Sequence, residues 1–475
     1  MNYESTIGLE VHIQLKTKSK IWCSASANYD EQEPNTCISP TCVGEPGALP
    51  KLNDEVLNYA IKAALALGCS INQLSFFDRK NYFYPDSPKN YQITQFFKPY
   101  AENGELKIVT NSGKESVVKI ERIQIEEDTA KSIHLSSESL LNFNRASMPL
   151  LEIITTPCIS NSEQAYAYLT TLKERIKYTK VSDVSMELGS LRCDANVSVK
   201  KKGETKLGTR TETKNLNSFK AVVKAIEYEI NRQIDVIENG GRVIQETRLW
   251  DEENGVTRTM RSKEDAMDYR YFPEPDLPPV VISDERLEKV KKDMPEFSDE
   301  KMSRFISQYN IPEVEARILT NEPELADYFE KVATEVKDAR MAANWILTEV
   351  LRVLKEKNCS IEEFNIREDR LADLIHLIKN KTISSKIAKD IFEKMLETEQ
   401  KASEIVKKEG LAQITDSKAI EELVDKVLAE NEASVADLKA GKDRAMKYLM
   451  GQAMKLSKGK ANPKQVSDLI LEKCK

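Results

Sequence analysis

Residues 7–15 read Ile7-Gly8-Leu9-Glu10-Val11-His12-Ile13-Gln14-Leu15, an unbroken alternation of apolar and non-apolar positions. A strand sends successive side chains to opposite faces. Ile7, Leu9, Val11, Ile13 and Leu15 therefore share one face, and Gly8, Glu10, His12 and Gln14 share the other. A helix would scatter both sets around its axis. The stretch predicts a strand with one face on a core and the other carrying ionisable groups. On that second face Glu10 and His12 stand roughly 7 Å apart, close enough to converge on one ion or ligand.

The same period recurs further along. Leu191, Cys193, Ala195, Val197 and Val199 alternate with Ser190, Arg192, Asp194, Asn196 and Ser198. Arg210, Glu212 and Lys214 share a face, as do Arg122, Gln124 and Glu126 ahead of the acid run Glu126-Glu127-Asp128. Glu152 is the only charge between Pro149 and Thr155. A solvated outer face would account for any one of these strands. Several of them mixing Glu, Asp, Arg, His and Asn within one domain point instead to a concave polar sheet. Carboxylates suit Mg²⁺, while Arg and Lys suit phosphate. Phosphoryl transfer needs both, to position the transferred group and neutralise its charge.

The rest of the chain limits the alternatives. Its 475 residues allow two to four domains, and 40% hydrophobic with 31% charged residues is ordinary for a globular protein. No apolar run approaches the ~20 residues needed to span a bilayer, so no membrane association is expected. Met1-Asn2-Tyr3-Glu4-Ser5 carries no basic or apolar leader. The expected setting is the cytoplasm, or an organelle interior after removal of a transit peptide. Of eight cysteines only Cys23, Cys37 and Cys42 are clustered, so reduced thiols are expected. There is no Walker A loop, Gly-x-Gly-x-x-Gly or His-Glu-x-x-His, and no nucleophile-and-base pair can be assigned.

Organisation follows from texture. β-branched and aromatic residues dominate up to about 290, with one helix capped by Asn217 or Ser218 and closed by Gly240-Gly241. The Pro-dense segment from Tyr271 to Pro279 can continue neither a helix nor a central strand. From about Leu287 apolar residues recur at helical spacing. The expected fold is an α+β domain over 1–292, a helical domain over 293–409 and a small helical tail over 410–475. Net charge is -7, yet residues 441–475 hold nine basic and three acidic residues, a local +6. The tail is therefore expected to bind nucleic acid through Lys442, Arg444, Lys447, Lys455, Lys458 and Lys460.

The chain resembles the B subunit of aspartyl/glutamyl-tRNA amidotransferase along essentially its whole length. The resemblance rests on Ile7-Gly8-Leu9-Glu10-Val11-His12, Phe77-Asp78-Arg79-Lys80-Asn81-Tyr82-Phe83-Tyr84-Pro85-Asp86, Glu126-Glu127-Asp128, Gly189-Ser190-Leu191-Arg192-Cys193-Asp194-Ala195-Asn196, Thr213-Lys214-Asn215-Leu216-Asn217-Ser218, Asp268-Tyr269-Arg270-Tyr271-Phe272-Pro273-Glu274-Pro275-Asp276 and Met450-Gly451-Gln452-Ala453-Met454-Lys455. It implies a cradle domain with a mixed sheet related to glutamine synthetase and guanido kinases. It implies ATP, Mg²⁺, an amidase (A) subunit, a small C subunit and mischarged Glu-tRNA or Asp-tRNA as cofactors, partners and substrate. The side-chain carboxylate would be phosphorylated by ATP and then amidated with ammonia from the amidase. By position Glu10, His12 and one or both of Glu126 and Glu127 match the metal cluster, with Glu152 as a further ligand. Arg79, Lys80, Arg192 and Lys214 are expected at phosphate or carboxylate, with Asp194 beside the cofactor.

Many relatives carry Cys-x-Cys followed by Cys-x-x-Cys near the start. Here the pairs read Cys23-Ser24-Ala25 and Ser39-Pro40-Thr41-Cys42. A tetrahedral site wants four N or S ligands, so a structural zinc is not expected. Two other functions stay open. One is a tRNA-binding scaffold without chemistry, which ATP turnover stimulated by Glu-tRNA would exclude. The other is a free-standing kinase or ligase for a small carboxylic acid, which has no need of a basic tail.

Overall fold

The computed structural model describes residues 2–262, 269–411, 417–439, 442–457, 461 and 463–474. It divides into two compact units, Met1–Phe297 and Ser298–Lys475.

In the first unit the alternating stretch forms the strand Tyr3–Gln14, the middle of a nine-stranded sheet. From one edge the order is Val256–Ser262, Glu246–Asp251, Thr211–Leu216, Leu191–Lys201, Tyr3–Gln14, Pro149–Thr155, Glu115–Glu127, Ala101–Val109 and Ser70–Ile71. Every neighbouring pair is antiparallel except Thr211–Leu216 with Glu246–Asp251, which makes the sheet mixed.

The apolar face lies on the helices Asp54–Ala66, Ser162–Thr179 and Phe219–Glu238. Ile7, Leu9, Val11 and Ile13 are each at most 1% exposed. Each such side chain contributes roughly 1.5–3 kcal/mol, so this face is where the unit gets its stability. Ser218, one of the two foreseen caps, accepts the Ala221 N–H at 3.0 Å, and the helix it starts stops just ahead of Gly240 at φ 77°. That helix also carries a buried carboxylate, Glu229, which accepts from Thr211 Oγ1 at 2.7 Å, from Arg232 Nε at 3.0 Å and from Thr257 Oγ1 at 3.1 Å. Burial opposes its charge, but Arg232 and Thr211 outweigh that and hold Glu229 below the ordinary carboxylate range.

The Pro-dense segment forms one short edge strand, as proline permits, and a second follows directly after it. Phe272–Pro273 pairs with Asp78–Asn81, which pairs in turn with Tyr91–Thr94, and Val280–Val281 pairs with Leu74–Ser75.

The second unit is helical among its described residues, with two separate apolar clusters. One gathers Phe305, Phe329, Ile346 and Phe392; the other gathers Ile420, Val424, Leu449 and Ile470. In the tail helix Asp443–Leu456, Ala445 and Leu449 are buried while Arg444, Lys447 and Lys455 are exposed. Lys442 is exposed and paired with Asp437 at 2.8 Å. Lys458 and Lys460 lie outside the described residues. No described helix is long and apolar enough to cross a membrane.

Candidate active site

Register turns the alternation into a two-dimensional array. His12 stands opposite Glu152 on one side and Arg192 on the other, and Glu152 stands opposite Gln124. One turn of the pleat away, Glu10 is opposite Asp194, and Asn196 is opposite Glu212. Side chains from five strands therefore share the polar face.

Two clusters occupy it. In the first, carboxylate oxygens of Glu10, Asp194 and Glu212 all lie within 4.8 Å of one another. Asn196 Nδ2 donates to Glu10 at 3.1 Å, and Thr247 Oγ1 donates to Glu212 at 2.7 Å. Lys214 Nζ pairs with both Asp194 and, at 3.0 Å, Glu212. Burial pushes the Glu10 carboxyl up to about 7, and the Glu152 and Glu212 carboxylates push in the same direction. Burial disfavours the Lys214 ammonium, but Asp194 and Glu212 outweigh it and hold the group above the usual lysine range.

In the second cluster His12 Nε2 is 3.7 Å from Glu152 Oε1, and Gln124 Nε2 donates to the other oxygen of Glu152. Burial lowers His12 to about 4, so the ring is neutral at pH 7 and presents a nitrogen lone pair. Lys80 Nζ sits 3.4 Å from Glu126 Oε1, and Thr94 Oγ1 donates to Glu126 Oε2 at 3.1 Å. Burial disfavours the Lys80 ammonium, but Glu126 and Glu152 outweigh it and hold the group above the usual lysine range. Arg192 is oriented by Asp128, its Nη2 donating at 2.7 Å.

Carboxylates dominate this face: Glu10, Glu126, Glu152, Asp194 and Glu212 stand against Lys80, Lys214 and an Arg192 already claimed by Asp128. A small hard divalent cation fits such oxygen donors and would relieve their mutual repulsion. Beside Glu10 the face opens into a concave pocket of about 460 Å³, reached by Gly8, Asn196, Ser198, Arg210 and Gln245.

The structure does not bring two expected residues to the site. Glu127 neighbours Glu126 in the strand, so only one of them can face the array. Its carboxylate instead takes Lys89 Nζ at 2.6 Å, the Ile93 N–H at 2.9 Å and Ser147 Oγ at 2.9 Å. Arg79 alternates with Lys80 in the same way and is held by Glu274 through Nε at 2.7 Å and Nη2 at 2.9 Å, and by Asp276 at 2.9 Å. Glu212, Asn196 and Asp128 were not among the expected site residues. For Glu212 the signal was present, since it shares a face with Lys214.

All eight cysteines are free thiols. Cys23 Sγ is 3.4 Å from Cys42 Sγ, and Ser39 Oγ is 3.3 Å from Cys42 Sγ, while Cys37 turns to the Asn28 carbonyl at 3.8 Å. The Cys23 thiol, with Ser39 and the buried Lys20 ammonium, holds Cys42 below the usual thiol range.

Comparison with known proteins adds an independent line. The GatB/GatE catalytic domain matches residues 5–288, and the GatB domain matches residues 327–474. The B subunit of the aspartyl/glutamyl-tRNA(Asn/Gln) amidotransferase of Fusobacterium nucleatum is 60% identical, the alignment covering 100% of this chain and 99% of that protein. The proteins of the same name from Carboxydothermus hydrogenoformans and Caldicellulosiruptor bescii are 49% and 50% identical, each alignment covering 99% of this chain and 98% and 99% of theirs.

Proposed function

This chain belongs to the family of aspartyl/glutamyl-tRNA(Asn/Gln) amidotransferase B subunits, and from that premise we propose that its polar sheet face activates the side-chain carboxylate of mischarged Glu-tRNA or Asp-tRNA for amidation. The activation is phosphoryl transfer from ATP. The γ-phosphoryl group passes to the carboxylate, ADP leaves, and ammonia then displaces phosphate to give the amide. The ammonia comes from glutamine cleaved by a partner amidase subunit, with a small third subunit joining the two.

The observation that carries this reading is the pairing of a carboxylate trio, Glu10, Asp194 and Glu212, with the ammonium groups of Lys214 and Lys80 on one face. Glu10, Asp194 and Glu212 would hold Mg²⁺, with neutral His12 and Glu152 as neighbouring donors. The ion, when bound, supplies charge neutralisation on the phosphoryl oxygens. The pocket beside Glu10 suits the nucleotide, and Arg210 at its wall suits phosphate. Lys214 pairs with Asp194 and Glu212 of the trio and is positioned to exchange those partners for a phosphate oxygen. Lys80 and Arg192, braced by Glu126 and Asp128, orient the substrate carboxylate for in-line attack. The exposed Arg444, Lys447 and Lys455 hold the tRNA body through its phosphates. Nothing in this scheme needs a structural zinc or a membrane.

The test is reconstitution with the amidase and small subunits and assay on both mischarged tRNAs. ATP-dependent Gln-tRNA or Asn-tRNA formation is expected, and Glu10→Gln should abolish it while glutamine hydrolysis continues. Near-normal amidation by that variant would remove the carboxylate trio from the reaction.

A further inference from the structure

We propose that Tyr82, Phe83, Tyr84 and Tyr269, with Arg270, form a stacking platform for the unpaired 3′-terminal nucleotides of the mischarged tRNA. The inference rests on the function proposed above and assigns a role to residues that function does not use. Lys80 marks the inner end of the platform. Its ammonium touches Glu126 in the site and lies 5.2 Å from the centre of the Tyr269 ring. Outward from it the chain runs straight into Tyr82-Phe83-Tyr84. The Tyr82 and Tyr84 rings stack at 5.9 Å with 26° between their planes. Tyr269 packs against Tyr271 at 5.9 Å, and the Arg270 guanidinium covers Phe83 at 5.9 Å.

Three features set this strip apart from core. Phe83 is 62% exposed and Tyr84 48%, so both large rings are open to solvent. The backbone that presents them is pinned. The Asn81 N–H donates to the Tyr269 carbonyl at 2.9 Å, and Asn81 Nδ2 donates to the Tyr269 and Arg270 carbonyls at 3.0 and 2.7 Å. Arg270 is held at φ 41°, a left-handed conformation that a residue with a Cβ adopts only when its surroundings demand it. Finally, the rings are interleaved with cations. Aromatic faces alternating with Lys or Arg are how single-stranded nucleic acid is bound without sequence readout, each base stacking on a ring while the cations meet the backbone.

Position selects the occupant. The amino acid is esterified to the terminal ribose of an unpaired end, so a carboxylate resting at Lys80 brings the last bases within reach of Tyr82 to Tyr84. The nucleotide pocket lies beside Glu10, in the other cluster of the face. An open strip on the Lys80 side therefore suits the end of a long RNA better than the adenine of ATP.

The test uses the assembled three-subunit enzyme carrying Phe83→Ala with Tyr84→Ala. KM for mischarged tRNA should rise about tenfold or more, from the usual worth of base stacking, with KM for ATP unchanged. Phe83→Trp with Tyr84→Trp, which keeps the faces, should restore tRNA affinity. An acceptor-stem RNA with 2-aminopurine as its terminal base should be quenched on binding the wild type and not the Ala variant. An unchanged KM for tRNA, a raised KM for ATP, or loss of the partner subunits from the complex would each overturn the proposal, the last two by assigning the strip to ATP or to a protein interface. If the wild-type assembly forms no amidated tRNA at all, the underlying function has failed instead.

Discussion

Val11 and His12 are neighbours in the chain and lie on opposite faces of one strand. Behind the sheet Val11 joins Ile7, Leu9 and Ile13, none more than 1% exposed, against three helices. In front, Glu10 and His12 meet carboxylates and ammonium groups from five other strands. The back face gathers groups that water rejects, and its contacts stabilise the fold. The front face gathers like charges that water would otherwise separate, and it persists because the back face fixes the strands. Stability and chemistry are thus divided by the pleat, a single residue apart.

That division can be broken most sharply by paired substitutions. Glu10→Gln and His12→Ala should each lower amidation by roughly 10³-fold or more, read as Gln-tRNA formed by the assembled enzyme. Glu10→Gln should leave Tm unchanged or raise it, because it relieves repulsion from Glu152 and Glu212. Ile13→Ala, one residue beyond His12, should destabilise the unit by roughly 2–5 kcal/mol in urea unfolding. A large fall in stability with Glu10→Gln would mean that the two faces are not separable.

Glu126 and Glu127 sharpen the same comparison within one dipeptide. Glu126→Gln should act on kcat, since its carboxylate braces Lys80. Glu127→Gln should act on stability, by roughly 3–5 kcal/mol, because it leaves the buried Lys89 ammonium without its counter-charge. Thermal unfolding and initial rates on the same pair of proteins decide the assignment.

A smaller effect separates the faces by pH. Glu229, behind the sheet, has its folded pKa below the ordinary carboxylate range of about 4.3. A depressed carboxyl contributes stability that is present above the unfolded pKa and is lost as pH falls through the folded value. Stability should therefore decline below about pH 4, and Glu229→Gln should flatten that acid limb in denaturant titrations. The smallest effect belongs to the tail. Replacing Arg444, Lys447 and Lys455 together by Ala should raise KM for tRNA and reduce the slope of log affinity against log salt by up to about 3. Amidation at saturating tRNA should survive.

Period two makes the central strand and its apolar back legible, and within each strand it puts Glu10 with His12, Arg192 with Asp194, and Glu212 with Lys214; the resemblance adds Glu152 and the site roles. Applied strictly, the same rule also separates Glu126 from Glu127 and Lys80 from Arg79. Motif membership, by contrast, does not distinguish the two members of either pair. What periodicity cannot reach is partnership across the chain. Arg79 is taken by Glu274, and Arg192 by Asp128, through contacts that only the folded sheet creates. The convergence of Glu212 with Glu10 likewise depends on strand order, which a single sequence does not state. Of the basic tail, the exposed Arg444 and Lys447 were readable from helical spacing, because Ala445 and Leu449 occupy the buried side.

The proposed phosphorylation of a carboxylate on this face can be caught by trapping the acyl phosphate when no ammonia is supplied. The assembled enzyme, without glutamine, would be given ATP, Mg²⁺, mischarged tRNA and hydroxylamine. A side-chain hydroxamate on the tRNA-bound amino acid is expected, with ADP formed in equal amount, and neither product with Glu10→Gln. Hydroxamate formed without ATP, or formed equally well by the Glu10→Gln enzyme, would contradict it.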